Sequence, residues 1–450
     1  MSRTLLAVLA VLVLAAPADA AVTRIGGVDA AGPAKYDFSY VTKIGPSSAK
    51  TVLVLEPGYS GGAGDFTFVG RDLVKRVPGL QVWAVDRRSQ VLEDTSMLEK
   101  GLRGDATLQQ VRDYYLGWIT DPSVSPHFTP PDPKSLGFAG DWGLPTHIGD
   151  LRKVILAARR GGRRVILGGH SLGASMTAIY GTWDFKGRRG YDDVDGLMLI
   201  DGGALGTFDD EDTVAAVRKR IRELRDQPFA DVVGLGLPWA QGVFAGIGGL
   251  FAVKAPTERS PFVDDPLLPK MFKPDLQVTN RALLGYAFDQ STSPRELGLI
   301  HLRAGALAAA GDPRDWASGE VSPIDRVSDF WAAQPVNGVE WYFPQRLSID
   351  VDGANELQRN AVARYLKLRP WHLRDVDVPL YAFQTDLTEG RVLRGARRYI
   401  QRSKVPRRES VLVDRASTTS HLDPLTAAPA TNDFLKTAVP WLKATMKRRR

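Results

Sequence analysis

The chain has 450 residues, of which 44% are hydrophobic and 24% are charged, a balance that excludes a disordered or collagen-like protein. Its formal charge is +7, and such a small excess does not predict a nucleic-acid partner. Four of the basic residues are the last four, 447–450. We therefore expect a solvated basic end, with a weak contact to an anionic envelope or membrane surface as the alternative.

The first 20 residues have the composition of a secretory leader. Arg3 precedes an apolar run over residues 5–16, and Ala18-Asp19-Ala20 fits the small-residue pattern of a cleavage site. These features predict cleavage after Ala20 and a secreted or extracytoplasmic protein, with a retained anchor as the alternative. The sequence has no cysteine, which excludes disulfides and thiolate metal sites.

Short apolar runs predict the strands of a buried sheet. They are apolar throughout and do not alternate with polar residues, which is typical of a parallel sheet covered on both faces. Helical spacing of apolar residues separates several of these runs, and strand-helix alternation predicts a doubly wound α/β fold. The predicted strands are residues 51–55, 81–86, 164–167, 196–200, 378–383 and 410–413, and the predicted helices are residues 148–158 (with Thr146 as N-cap), 174–182, 392–400 and 434–442.

A long segment, residues 204–370, interrupts this alternation. It is helix-rich, with predicted helices at 212–224, 295–309 and 356–366. We expect a core formed by residues 21–203 and 371–450, with the segment between them as a large cap or lid. Residues 120–144, rich in proline and glycine, predict a surface loop.

An uncharged stretch, residues 232–253, is long enough to span a membrane. It holds six glycines and Pro238, and a span there would divide the core between two compartments. Buried or lid helices are therefore the expectation, and a membrane span or membrane-dipping lid is the alternative.

The pentapeptide Gly169-His170-Ser171-Leu172-Gly173 has the G-x-S-x-G pattern of a nucleophile elbow. It follows an apolar strand and precedes a helical run, which is the strand-turn-helix setting that the motif requires. The flanking glycines would remove side chains that clash in so sharp a turn. The hydroxyl of Ser171 would then project from the carboxyl edge of the sheet.

With this motif the chain resembles the α/β-hydrolase superfamily, and its lipase and esterase members most. The resemblance covers residues 51–203 and residue 379 to the C-terminus, and it places the cap at residues 204–370. It implies a mostly parallel, doubly wound sheet with a large helix-rich cap insertion. It also implies that nucleophile, acid and histidine follow one another in that order along the chain.

A serine hydroxyl needs a base to take its proton. Of the six histidines, only His421 follows the last predicted strand, where the superfamily places its base. Asp386, after the predicted strand 378–383, matches the usual position of the acid that orients the imidazole. Asp201 is the alternative acid, because some members place it one strand earlier, and Glu389 is a weaker third choice.

The oxyanion that forms in acyl transfer needs two backbone N–H donors. Leu172, directly after the nucleophile, should supply one. The resemblance indicates Tyr59, in the glycine-rich loop after the first predicted strand, for the other. Because Pro57-Gly58 replaces the usual histidine-glycine pair there, Gly58 and Ser60 remain alternatives.

These residues predict a secreted serine hydrolase that acts through an acyl-enzyme on a carboxylic ester or lipid-like small molecule. The aromatic and apolar content of the insertion favours an apolar substrate, although the same side chains could form the core of the cap itself. The alternatives are an amidase, peptidase or acyltransferase with the same triad, and a non-catalytic envelope binding protein. No metal or other cofactor is predicted.

Overall fold

The computed structural model describes residues 21–208, 213–224, 226–319, 321–332 and 337–448. The predicted leader lies outside these residues. In chain order the strands are β1 (Ala21–Gly26), β2 (Phe38–Ile44), β3 (Thr51–Glu56), β4 (Leu80–Asp86), β5 (Arg164–His170), β6 (Asp184–Phe185), β7 (Arg188–Arg189), β8 (Gly196–Ile200), β9 (Gly305–Gly311), β10 (Arg314–Ser318), β11 (Leu380–Gln384) and β12 (Val411–Asp414).

The α-helices alternate with these strands in the core and dominate the segment between β8 and β11. They are α1 (Thr67–Arg76), α2 (Ser96–Arg103), α3 (Leu108–Arg112), α4 (Trp118–Thr120), α5 (Leu144–Ala158), α6 (Leu172–Thr182), α7 (Val214–Glu223), α8 (Ala240–Lys254), α9 (Asn280–Phe288), α10 (Ile324–Trp331), α11 (Gln345–Ala354), α12 (Ala361–Tyr365), α13 (Arg391–Gln401), α14 (Asp423–Thr426) and α15 (Asp433–Lys447).

Eight strands form one sheet in the order β1-β2-β4-β3-β5-β8-β11-β12. The pairs from β4 to β12 are parallel, whereas β2 pairs antiparallel with both β1 and β4. Parallel neighbours need crossover connections, and helices of the core provide them. The carboxyl ends of β3, β5, β8 and β11 therefore lie side by side at one edge.

The central strands are apolar on both faces because helices cover both faces. Leu53 and Leu55 of β3 pack in the cluster that contains α1 and α15 residues, whereas Val52 and Val54 pack with α5, α6 and α13 residues. All six residues of β3 are buried. This double cover explains why the sequence shows continuous apolar runs there.

The cap segment between β8 and β11 contains helices α7 to α12 and the antiparallel hairpin β9–β10. Helix α8 packs on α9 and α10, and it takes up most of the uncharged stretch as a buried cap helix of 15 residues. No helix in the described residues is long and apolar enough to cross a membrane.

The predicted helix over residues 295–309 is wrong. Residues 295–300 form a short 3-10 turn, and the alanine-rich part that follows is strand β9. Gly305 and Gly311 bound this strand with φ of 132° and 128°, which a helix cannot accommodate. Trp316 of the partner strand donates its indole N–H to Ala304 O at 3.0 Å and fixes the hairpin.

Candidate active site

Ser171 lies between strand β5 and helix α6 in a sharp turn. Its φ of 55° and ψ of −122° are strained values for a residue with a side chain. Its backbone N–H donates to Ile200 O at 2.8 Å, which ties the turn to the end of β8. The strained backbone is the geometry that the elbow motif predicts.

The two glycines of the motif are required by close backbone approaches. A Cβ on Gly169 would lie 2.2 Å from Gly173 O, and a Cβ on Gly173 would lie 2.1 Å from Glu56 O. Contacts this short do not occur, so the elbow tolerates no side chain at either position.

His421 lies in the loop between β12 and α14, and its imidazole is held by a carboxylate. The Nδ1–H of His421 donates to Asp201 Oδ2 at 2.5 Å. The side chains of His421 and Asp201 are 1% and 0% exposed. Nδ1 as donor leaves Nε2 as the basic nitrogen of the neutral ring.

Asp201 is kept ionised by the hydrogen bonds around it. Burial would raise the pKa of this carboxyl group, but hydrogen bonds from His421 and Thr385 outweigh burial and lower the pKa below its usual value. Thr385 donates to it twice, from its backbone N–H at 2.7 Å and from its hydroxyl. A charged, oriented carboxylate stabilises the imidazolium that forms during proton transfer.

Asp386, the acid predicted from the sequence, does not hydrogen-bond the His421 imidazole in the described structure. Its carboxylate accepts a hydrogen bond from Ser420 Oγ at 2.9 Å and lies 3.8 Å from Arg303 Nη2, with 35% of the side chain exposed. Thr385 directly follows β11 and points its hydroxyl at Asp201, whereas Asp386 is one residue farther along. The alternative acid Asp201 therefore holds His421, and Glu389 lies beyond Asp386 in the turn before α13.

His170 supports the loop that carries the imidazole. Its Nε2–H donates to the backbone carbonyl of His421 at 2.9 Å. Burial, together with the neighbouring imidazole of His421, lowers the pKa of His170 to about 3, so the ring stays neutral. His170 therefore has a structural role at this edge of the sheet.

The hydroxyl of Ser171 and the imidazole of His421 line the same cavity. No hydrogen bond joins them in the described structure, and such contacts commonly tighten only in the substrate complex. Both side chains reach this cavity from the carboxyl edge of the sheet, where β5 ends and where the loop after β12 returns.

The glycine-rich loop after β3 lies against the elbow. A Cβ on Gly58 would be 3.1 Å from the Cβ of Ser171, and Gly58, Tyr59 and Ser60 all line the cavity. Within the described residues neither the N–H of Tyr59 nor that of Leu172 donates to a protein acceptor. Neither amide therefore has a protein acceptor in the described structure, which keeps both as candidates for binding an oxyanion.

Arg87, in the turn after β4, anchors the glycine-rich loop after β3. Its guanidinium donates to the carbonyls of Pro57 and Gly58, the latter at 3.1 Å. It also pairs with Glu56 Oε1 at 2.9 Å and with Glu340 Oε2 of the cap at 2.7 Å. This contact has no local sequence signal, because the partners of Arg87 are scattered along the chain.

Sheet order, strand directions and the strained serine elbow together decide the fold. The chain has the fold of the α/β-hydrolase superfamily.

Comparisons with known proteins give distant structural similarities. No family model matches the sequence, and no curated protein matches it. A Sulfolobus solfataricus protein suggested to be a lipase is 16% identical, with a TM-score of 0.47 over 94% of this chain and 93% of that chain. An epoxide hydrolase from an endophytic Streptomyces is 12% identical, with a TM-score of 0.45 over 95% and 96%. A thermophilic esterase from Thermogutta terrifontis is 10% identical, with a TM-score of 0.39 over 95% and 100%.

Cap helices cover the carboxyl edge of this α/β-hydrolase-fold sheet and enclose a cavity of about 1340 Å³, counted with its opening to solvent. Most of its lining side chains are aliphatic or aromatic, contributed largely by α8, α9 and neighbouring cap loops. Among the described residues that line it there is no lysine or arginine, and Asp65 is the one carboxylate. Burial holds the pKa of Asp65 well above its usual value, which favours its neutral form.

Proposed function

We propose that the protein is a serine hydrolase that forms an acyl-enzyme on carboxylic esters with an apolar acyl group. The observation that carries this proposal is the buried His421–Asp201 pair, which opens on the same apolar cavity as the strained Ser171. A structural histidine and aspartate would not need to share a cavity with a serine elbow. The combination matches the roles of base, orienting acid and nucleophile.

In the proposed reaction, Nε2 of His421 takes the proton of the Ser171 hydroxyl while the oxygen attacks the ester carbonyl carbon. The carbonyl oxygen becomes negative, and the amides of Tyr59 and Leu172 stabilise that charge. The tetrahedral intermediate collapses, the C–O bond to the alcohol breaks, and the imidazolium returns its proton to the leaving oxygen. Water then repeats the sequence on the acyl-enzyme and releases the acid.

The lining of the cavity supports an ester over a charged substrate. An anionic substrate would find no lysine or arginine among the described lining residues, and burial without a partner charge is costly. A long hydrocarbon chain instead gains roughly 25 cal/mol for each Å² of apolar surface that it buries. The acyl group of an apolar ester therefore fits this cavity.

A fluorophosphonate probe tests the nucleophile directly. The serine oxygen attacks phosphorus and fluoride leaves, so labelling requires an activated hydroxyl. We expect stoichiometric labelling at Ser171 and none in Ser171→Ala. Ser175→Ala is the matched control, because Ser175 lies one turn farther along α6 and donates its hydroxyl to Gly203 O at 2.6 Å.

Labelling that survives in Ser171→Ala, or an unlabelled but folded wild type, would contradict the proposed mechanism. The second result would favour the alternative of a non-catalytic binding protein. A panel of p-nitrophenyl esters, anilides and esters with an added alcohol acceptor then separates ester hydrolysis from amide hydrolysis and acyl transfer. We expect ester hydrolysis to be the fastest of the three.

We propose further that the enzyme works outside the cytoplasm. This rests on the leader-like composition of residues 1–20, which lie outside the described structure. Expression of the full chain in a bacterial host followed by N-terminal sequencing tests it. We expect Ala21 as the first residue of the mature protein, and an intact N-terminus in the cytoplasmic fraction would contradict the proposal.

A further inference from the structure

Helix α8 runs along the cavity and presents one face to it. Gln241, Phe244, Gly248 and Phe251 recur three to four residues apart and all line the cavity, as residues on one helix face do. Near the start of this face, Gln241 Nε2 donates to Ser60 Oγ at 3.3 Å. The helix therefore begins beside the candidate oxyanion loop.

Distance along the helix measures depth in the cavity. An α-helix rises 1.5 Å per residue, so Gly248 lies ~10 Å farther along the axis than Gln241. Gly248 is therefore about two turns away from the loop that lies against Ser171. A group in contact with Gly248 would belong to the distal part of an extended substrate.

The other glycines of the helix interior are required by packing. A Cβ on Gly242 would lie 1.9 Å from Trp341, one on Gly246 would lie 2.7 Å from Leu98, and one on Gly249 would lie 2.7 Å from Trp331. Large neighbouring side chains fill the space at each of these positions. Their glycines are thus explained by the cap's own core.

Gly248 is different. Apart from its two chain neighbours and the nearby backbone of its own helix, the one described heavy atom within 4 Å of the point where its Cβ would lie is Leu284 Cδ1 of helix α9, at an ordinary 3.4 Å. Its backbone does not have the positive φ that favours glycine. Glycine is less favourable than alanine in a helix interior, so neither packing nor backbone conformation accounts for it. What the missing side chain leaves is open cavity between α8 and α9.

We propose that Gly248 is a specificity-determining residue whose missing side chain makes room for the distal part of a long, uncharged acyl chain. This inference rests on the proposed function, because it assumes that the acyl carbonyl is attacked at Ser171. Leu284 forms the opposite wall at this depth, and Phe244 and Phe251 lie one turn to either side on α8. The proposal therefore assigns chain-length preference to a single position.

A graded series at this position tests the proposal. Gly248→Ala, Gly248→Leu and Gly248→Phe are assayed with p-nitrophenyl acetate and p-nitrophenyl dodecanoate. We expect the ratio of kcat/KM for dodecanoate to that for acetate to fall stepwise with side-chain size. The loss should reach roughly tenfold or more in the leucine variant, because loss of methylene contacts in an apolar pocket has effects of this size. Gly248→Ala should also raise Tm.

A compensating change guards against a merely misfolded variant. Leu284→Ala in the Gly248→Leu background removes volume from the facing wall and should restore part of the dodecanoate-to-acetate ratio. A ratio that stays constant across the series, or a double variant that recovers nothing, would overturn the proposal.

Binding separates this inference from the proposed function. In Ser171→Ala, an uncharged fluorescent long-chain fatty ester should bind when Gly248 is present and bind at least tenfold more weakly in the Gly248→Leu background. If the wild type hydrolyses neither ester while this binding pattern holds, the proposed function fails and the acyl site stands. If both esters are hydrolysed and binding is insensitive to Gly248, the acyl site fails and the hydrolase stands.

Discussion

Asp201 and His421 are 220 residues apart in the chain, yet the imidazole Nδ1 lies 2.5 Å from the carboxylate oxygen. The contact forms because β8 and the loop after β12 reach the same edge of the sheet. It makes the carboxylate after β8, rather than the one after β11, the partner of the His421 imidazole. The first prediction follows from this difference.

Asp201→Asn should lower kcat by roughly 10⁴, because an amide favours the wrong imidazole tautomer and cannot stabilise the imidazolium. Steady-state hydrolysis of p-nitrophenyl butyrate measures the loss. Asp386→Asn is the matched control and should stay within a few-fold of wild type, because Asp386 bonds Ser420 and not the imidazole. A larger loss in the Asp386 variant would reverse the assignment.

Arg87→Lys should lower kcat by about tenfold or more with little change in KM. A lysine cannot reproduce the guanidinium fork, so it cannot hold both carbonyls of the loop that carries the Tyr59 amide. Loss of one oxyanion donor has a larger effect still. Rates are compared per active site after titration with a fluorophosphonate.

The neighbouring Arg88 is the control for that experiment. It is also buried, but it pairs with Asp37 and Asp150 on the other side of β4. Arg88→Lys should destabilise the protein without changing kcat per active site. Equal kcat values in the two lysine variants would show that Arg87 acts only through stability.

Gly173→Ala should destabilise the fold by about 1–3 kcal/mol or prevent folding, because overpacking costs this much and its Cβ would lie 2.1 Å from Glu56 O. Gly26→Ala should change the free energy of unfolding by less than about 0.5 kcal/mol, since no described atom beyond its two chain neighbours lies within 4 Å of its Cβ position. Denaturant unfolding of both variants measures the difference. A tolerated alanine at residue 173 would contradict the elbow geometry.

Glu56 should make the protein less stable as the pH rises from about 4.5 to 7. Burial raises its pKa to about 7 although Arg87 opposes the shift. The contribution of Glu56 to the free energy of unfolding is complete below the pKa that Glu56 has in the unfolded chain. It declines as the pH rises, because the unfolded chain ionises first, and it is lost once the pH passes the pKa of Glu56 in the folded protein. The decline should reach up to about 3 kcal/mol.

Glu56→Gln isolates this effect. The glutamine oxygen can still accept from Arg87 Nε, and Glu340 still pairs with the guanidinium. We expect the free energy of unfolding of the variant to fall less steeply between pH 4.5 and 7 than that of wild type. Parallel pH profiles for the two proteins would rule out titration of Glu56.

Much of the core was predictable because its strands are buried on both faces. The apolar runs over β3, β4, β5 and β8 identify the ends of these strands to within three residues. Strand β1 was missed because it is largely exposed at the sheet edge, and it has no continuous apolar run. Helix α5 begins at Leu144 with Gly143 as N-cap, and Thr146, the predicted N-cap, lies inside its first turn.

The candidate site was predictable where local sequence determines geometry. The elbow motif carries its own backbone requirements, and His421 was the one histidine after the last strand. The acid could not be chosen from the sequence, since Asp201 and Asp386 both follow predicted strands. What separates them is the backbone of Asp201, with a φ of 46°, and the hydrogen bonds from Thr385, neither of which has a local sequence signal.

The ion pair between Arg87 and Glu340 limits how the cap can move relative to the core. The pair joins the cap to the core where both side chains are buried, and separating the two charges there would cost about 3–5 kcal/mol. A cap held to the core by this ion pair does not open as a rigid body. Under the proposed function, esters would therefore enter and acids would leave through the existing opening of the cavity.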